Sequence, residues 1–336
     1  MDDNEALNLS AAEKQAKEIL IKADDITRRA ADVLAGKSGS DPMEVFPVTK
    51  VVRSENEYPE LNDNQVEALT AIAREIGFGR EADVMLSELG LQGAHVVIEG
   101  GQPHKIVAEA RMVMEDTAAR PKTIIFSGSQ ADHRKITSDT ERASARRQFN
   151  DEVPETEYDV ARKVAESLPG FVAHQEDKAL PFGYNIHNNQ EFLQEPTGQF
   201  VEIGTVGDTA VVLMRIDSET YVDEKTGKSK HRKQPSTYDV MRIVSRASSL
   251  LGKEDDPIGF VTSSSYSLSR QVDAARASVV GNPVGVATYG TTRLAGVNGT
   301  DVPTSVDLRQ LPSELHTIAR RSRDLRSLLQ KELIIK

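Results

Sequence analysis

The chain has no cysteine among its 336 residues, which excludes disulfides, zinc–thiolate sites and cysteine nucleophiles. It has no surplus of positive charge either. A formal charge of −11 argues against a general grip on nucleic acid, because binding phosphates along a strand needs a concentrated cationic face. No apolar run approaches the roughly 18 residues of a membrane span, so none is expected. The N-terminal stretch carries acids in a helical pattern where a signal peptide would carry a basic segment and an apolar core, and a cytoplasmic protein is the default expectation.

Several ligand signatures are missing as well. No G-x-G-x-x-G fingerprint occurs, which weakens any case for NAD or FAD. Gly36-Lys-Ser38 and Gly227-Lys-Ser229 resemble the end of a phosphate loop, but Ala31 and Val222 stand where its leading glycine belongs. The seven histidines show no paired metal spacing, and His133 and His174 read as solvent-facing loop residues. No metal site is assigned.

What is present is a soluble globular composition, 38% hydrophobic and 28% charged. Residues 1–92 read as a helical cap or arm. Ser10 and Glu13 form a capping box ahead of a helical apolar period that runs from Ala16 to Leu34 and stops at Gly36. Residues 36–61 read as a loop, and Asn62–Ile76 and Arg80–Leu89 as further helices, with Asn62 and Gln65 as cap partners and Gly90 as a stop.

From Ala94 onward strands and helices alternate, which calls for a parallel sheet with crossover helices over 93–336. The strands are AHVVI, TIIFSG, FVAHQED and, after an interruption, IGFVTSS and PVGVATYG. The interruption, about 178–235, holds a hairpin in which QFVEIGTV and TAVVLMRID flank a Gly207-Asp208 turn, the second arm being apolar enough for a core strand. Beyond it Lys225, Lys228, Lys230, Arg232 and Lys233 gather on a basic loop that could steer an anion or a partner, or be a solvated tip.

The chemistry-bearing residues fall at strand ends, where a doubly wound fold holds its ligands. Gly100 and Gly101, then Ser127, Gly128 and Ser129, then Ser263, Ser264 and Ser265 combine small residues with hydroxyls and free helix N–H groups suited to phosphate or carboxylate oxygens. Arg270 supplies a charged clamp and Thr237 a further hydroxyl. Among the acids, Asp159 and Asp239 sit in first turns where the helix dipole accounts for them, whereas Glu157 and Asp217 stand as candidates for a general base or a metal ligand.

These motifs, in order, resemble the YdcF-like family, a domain of unknown function shared with the SanA and ElyC envelope proteins. The resemblance covers residues 94 to about 330. It rests on VVIEGG with Arg111, IIFSGS, Glu157-Tyr-Asp, Asp217-Ser218 with Ser236-Thr237-Tyr-Asp239, and FVTSSSYSLSR. The histidine that the family carries three residues before the last arginine is Ser267 here, and the asparagine near the threonine is Val240. The resemblance implies a Rossmann-like sheet, with S-adenosylmethionine or a lipid phosphate among the ligands linked to relatives. The expectation is therefore a protein that binds a nucleotide-like or phosphorylated small molecule at the strand ends, with turnover left open. A phosphosugar or phosphoester enzyme, and a scaffold using the helical arm, stand as alternatives. A homo-oligomer is left open too.

Overall fold

The structure is a computed structural model that describes residues 10–46, 61–79, 82–129, 136, 139–180, 192–194, 197–217, 220–222, 229–231, 237–251, 256–289 and 311–335. Three helices lead the chain: α1 (Ala11–Ala35), α2 (Pro42–Val45) and α3 (Asp63–Glu75). Both expected capping boxes form, Ser10 with Glu13 and Asn62 with Gln65, and α1 ends at Gly36 in the left-handed region that glycine adopts without steric cost. α2 lies inside the stretch read as a loop; Asp41 caps it and Pro42 opens it.

The α/β portion follows in the order β1 (His95–Ile98), α4 (Pro103–Glu115), β2 (Thr123–Gly128), α5 (Asp139–Gln148), α6 (Glu157–Glu166), β3 (Phe171–Leu180), β4 (Phe192–Gln194), β5 (Thr197–Val206) and β6 (Thr209–Asp217). Then come β7 (Thr220–Val222), β8 (Ser229–His231), α7 (Thr237–Leu251), β9 (Ile258–Ser263), α8 (Ser267–Val280), β10 (Val284–Tyr289) and α9 (Leu311–Ile335). Seven strands make the main sheet, in the order β10-β9-β1-β2-β6-β5-β3; β4, β7 and β8 make a small separate one. The five strands β6, β2, β1, β9 and β10 are mutually parallel. In chain order their arrangement is 3-2-1-4-5, the doubly wound, Rossmann-like order.

That order follows from alternation. Val96 and Ile98 of β1, Ile124 and Phe126 of β2 and Val211 and Leu213 of β6 pack against α4 and α6. Val97, Ile125 and Val212, the residues between, pack against α7 and α8 on the opposite face. A further layer covers α8: Ile26 of α1, Ile72 of α3, and Leu315 and Ile318 of α9 share a core with Leu268 and Val272. The helical N-terminal region is thus packed on the sheet's own helices. Among the described residues no helix is long and apolar enough to cross a membrane.

Two local expectations come out differently. Phe171–Leu180 joins the sheet as an edge strand antiparallel to β5, as suits a strand whose side chains are mostly exposed. Residues 82–91 form no helix: Val84 bridges Thr288 at the β10 edge, and Leu86 and Leu91 lie over Gly259 and Gly285, where a Cβ would stand 2.4 and 2.6 Å from their side chains. Two leucines filling glycine-made hollows outweigh the local helical pattern. The Gly207 hairpin forms as expected, its second arm β6 entering the parallel block beside β2. His133, Ser236 and most of the basic loop lie outside the described residues.

Packing of α1 onto α8 and α9 sets a test. Ile26 is fully buried there, so Ile26→Ala is expected to cost about 2–5 kcal/mol. Urea unfolding followed by far-ultraviolet circular dichroism should show one transition with a lowered midpoint and unchanged slope. A separate early transition of the N-terminal helices would contradict a shared core.

Candidate functional site at the topological switch point

The chain reverses its direction of strand addition between β1 and β9, and in a doubly wound sheet the crevice outside the carboxyl ends of those strands is the binding position. Glu99 is the first residue beyond β1. Its Oε2 lies 2.9 Å from Nη2 of Arg270, in the first turn of α8, and its Oε1 accepts from the hydroxyl of Thr237, the first residue of α7. One carboxylate therefore ties the end of β1 to two helices on the far face. Arg270 keeps its charge: burial works against it, but Glu99, Asp273 and Glu314 outweigh burial and raise its pKa.

Behind Arg270 the polar chain continues inward. Asp273, fully buried, lies 2.5 Å from Arg321 of α9 and 3.2 Å from Arg276. Burial pushes the carboxyls of Asp273 and Glu314 upward, against the pull of the arginines, and lowers Arg321. Buried charges need partners on several sides, and this run of alternating signs supplies them.

The glycines and serines divide by role. A Cβ on Gly100 would stand 2.7 Å from the Ser127 carbonyl oxygen, and one on Gly128 would stand 2.7 Å from Cα of Tyr158, so both are small because backbone meets backbone inside the protein. Gly101 faces open space. The Gly100 N–H donates to Ser127 Oγ at 3.1 Å, which engages that hydroxyl in the floor. Ser129 is buried at the mouth of β2, and its carbonyl accepts from the Tyr158 N–H at 3.4 Å. Ser263 and Ser265 share a hydrogen bond at 3.3 Å. Ser264 is fully buried without a hydrogen-bond partner for its hydroxyl, and a Cβ on Gly77 would stand 2.2 Å from its carbonyl oxygen, so the turn after α3 closes one wall of the crevice.

Glu157 opens α6, its Oε2 3.5 Å from the position a Gly100 Cβ would take, and so faces the crevice. Asp217 ends β6 on the same edge of the sheet, two residues past the one paired with Gly128. Arg111, which belongs to the resemblance, lies exposed on α4.

Four residues of the site went unassigned in the sequence. Glu99 was hidden in a glycine-rich strand end. Lys105 stands in the first turn of α4, its ammonium 5.2 Å from the centre of the Tyr266 ring, with no carboxylate at ion-pair distance among the described residues. Arg270 lies 5.8 Å from the same ring. Glu109 is buried on α4 in register with Ile106, Ala110 and Val113, so an acid within an apolar stripe was the signal. Burial first, and the Glu99 charge second, hold its carboxyl well above the usual glutamate range. Tyr289 ends β10 beside Ser263, fully buried, its phenol raised by burial and by Glu109.

A groove of about 650 Å³ between α1, α2 and α9 lies on the outer layer. Its Arg28 and Arg326 are already paired with Asp25 and Asp24, and no buried unpartnered polar atom lines it. The fold is that of a doubly wound α/β protein, with polar side chains gathered at the strand ends of its switch point. Comparison with protein-family models, with curated proteins and with solved structures gave no match.

Two stability measurements follow. Gly128→Ala should cost about 1–3 kcal/mol, because the Tyr158 backbone must move, while Gly101→Ala should leave the melting temperature unchanged. The second concerns pH. A carboxyl whose folded pKa is raised keeps its proton after the unfolded chain has lost it, so its effect on stability is favourable below the unfolded value, ~4.3, and is lost as pH rises above it. Asp273 and Glu314 share that sign, so the readout is the difference between proteins: Glu109→Gln should lose less stability than the parent between pH 5 and roughly pH 8.

Proposed function

We propose that the crevice binds a nucleotide-like or phosphorylated small molecule by an anionic oxygen group placed at the N-termini of α4 and α8. The observation that carries this is a difference in capping. α1, α2, α3 and α6 each have a side-chain cap, from Ser10, Asp41, Asn62 and Thr156. The two helix starts that flank the switch point have none: Gln102 makes no cap bond to α4, and neither Ser263 nor Tyr266 caps the helical turns that open α8. Backbone N–H groups left without a side-chain acceptor are an anion site in waiting, and the dipole of each helix favours the negative charge.

The cation for that anion is Lys105. Arg270 is committed to Glu99, while Lys105 has an aromatic face for support and no acid to neutralise it among the described residues. The first turn of α4 contains no acidic residue. Gly101 leaves the approach open, and the Ser263 and Ser265 hydroxyls offer further donors. Glu157 and Asp217, on the same edge, take the role of hydroxyl acceptor, or of base where the ligand is turned over. Of the segments that resemble the YdcF-like family, the ends of β1, β2 and β9 and the start of α6 lie here, which supports the reading and leaves S-adenosylmethionine in the set to be tried.

A thermal-shift panel of inorganic phosphate, AMP, ATP, glucose 6-phosphate and S-adenosylmethionine tests it. Phosphate-bearing members should raise the melting temperature by a few degrees once they exceed their dissociation constant a hundredfold. Lys105→Met should weaken that binding roughly tenfold without changing the ligand-free melting temperature. A panel in which no phosphate-bearing compound stabilises the protein rejects the proposal; a response to the sugar phosphate alone moves it to a phosphoester enzyme.

A further inference from the structure

Beneath the crevice a set of buried polar atoms has no partner. Glu109 receives the backbone N–H of Glu99, but its Oε2 makes no hydrogen bond. The Tyr289 hydroxyl has no partner in good hydrogen-bond geometry either, although Ser263 lies close enough to pull its pKa down. Nε of Arg270, whose charge acts on Glu109, is the third. Glu109 is 5% exposed and Tyr289 0%. Such orphans are rare in native interiors, because each forfeits its hydration without replacement, and their grouping in one place calls for an explanation.

The chemistry of the group is one-sided. A phenol hydroxyl and a guanidinium N–H are donors, and so is a carboxyl in its protonated form, the form that burial favours for Glu109. Glu99 on one side and Lys105 and Arg270 on the other are the charged groups that face Glu109, and they come from the end of β1, from α4 and from α8. A convergent donor set buried away from water is suited to an oxygen that only accepts, the arrangement by which a neutral carboxylic acid and a tyrosine hold an oxyanion elsewhere.

We propose that Glu109 and Tyr289 form the floor of the switch-point site and donate together to one unprotonated phosphoryl oxygen of the ligand. This rests on the anion reading above and adds to it: the group bound is met from its rim by Lys105 and the helix N–H groups, and from below by two uncharged hydroxyl donors. The ligand then needs one bare oxygen pointing down into the sheet edge, which inorganic phosphate or a phosphomonoester supplies.

Infrared difference spectroscopy on the full chain, with inorganic phosphate as the probe, tests this together with Tyr289→Phe. The parent at neutral pH should show a protonated-carboxyl stretch that Glu109→Gln lacks, and phosphate should move that band to lower frequency as the proton is donated more strongly. Tyr289→Phe keeps the ring in place and should bind phosphate about tenfold more weakly. If phosphate stabilises the protein but leaves the band unmoved and the phenylalanine variant unaffected, the pair holds only internal water; this inference falls and the anion site stands. If phosphate neither stabilises the parent nor moves the band, both fall.

Discussion

A carboxylate placed at the mouth of a parallel sheet must find partners for both oxygens or lose its charge, and Glu99 finds them on two different helices. This one requirement organises the site. Arg270 must point toward β1 rather than toward solvent, and Thr237 must begin α7 within hydrogen-bond reach of the strand that α7 does not directly follow. Arg270, drawn inward, needs acids behind it, and Asp273 and Glu314 stand there; Asp273 in turn is matched by Arg276 and Arg321. The sequence of charges carries the crevice's geometry through α8 to α9, in the layer that α1 also packs against. Removing one charge from such a run leaves its neighbour buried and uncompensated, which is why the run matters more than any pair within it.

The small residues at the edge show how one composition serves two ends. Gly100 and Gly128 let strand ends approach Ser127 and the start of α6, and Gly77 lets the turn after α3 sit on Ser264. These are demands of packing, met inside the protein. Gly101 is different, since nothing stands where its Cβ would be, and it lies just ahead of a helix start with no side-chain cap. Proximity to a strand end therefore does not by itself make a glycine part of a binding surface; what its missing side chain would have met decides.

Much of this architecture was legible because short-range chemistry wrote it. Alternating apolar runs gave the parallel strands, Ser10 with Glu13 and Asn62 with Gln65 gave helix starts, and Gly207 gave the hairpin whose second arm enters the core. What could not be read depended on distant partners. Phe171–Leu180 looks like any strand until β5 claims it from the antiparallel side, and Arg80–Leu89 has a helical period that Gly259 and Gly285, far along the chain, override by making room for Leu86 and Leu91. Of the site, the strand-end serines, Glu157, Thr237 and Arg270 could be listed from local pattern alone. Their partnerships could not, because whether an arginine is a free clamp or half of an ion pair depends on Glu99, which is adjacent only in space.

The charge balance at the crevice follows from those partnerships. Counted by residue type, Glu99, Glu109 and Glu157 against Lys105 and Arg270 would favour a cation. Glu99 and Arg270 cancel through a bond of 2.9 Å, and burial pushes the Glu109 carboxyl well above its ordinary range. Glu157 opens α6 and Lys105 stands in the first turn of α4, where the dipoles of α4 and α8 add positive potential. On the proposed reading the crevice is polarised: an end rich in N–H groups and an ammonium suits phosphoryl oxygens, and the end where Glu157 opens α6 suits hydroxyl groups. A phosphorylated polyol or nucleoside has that same asymmetry along its length, so an acidic protein can hold an anionic ligand without an excess of positive residues at the site.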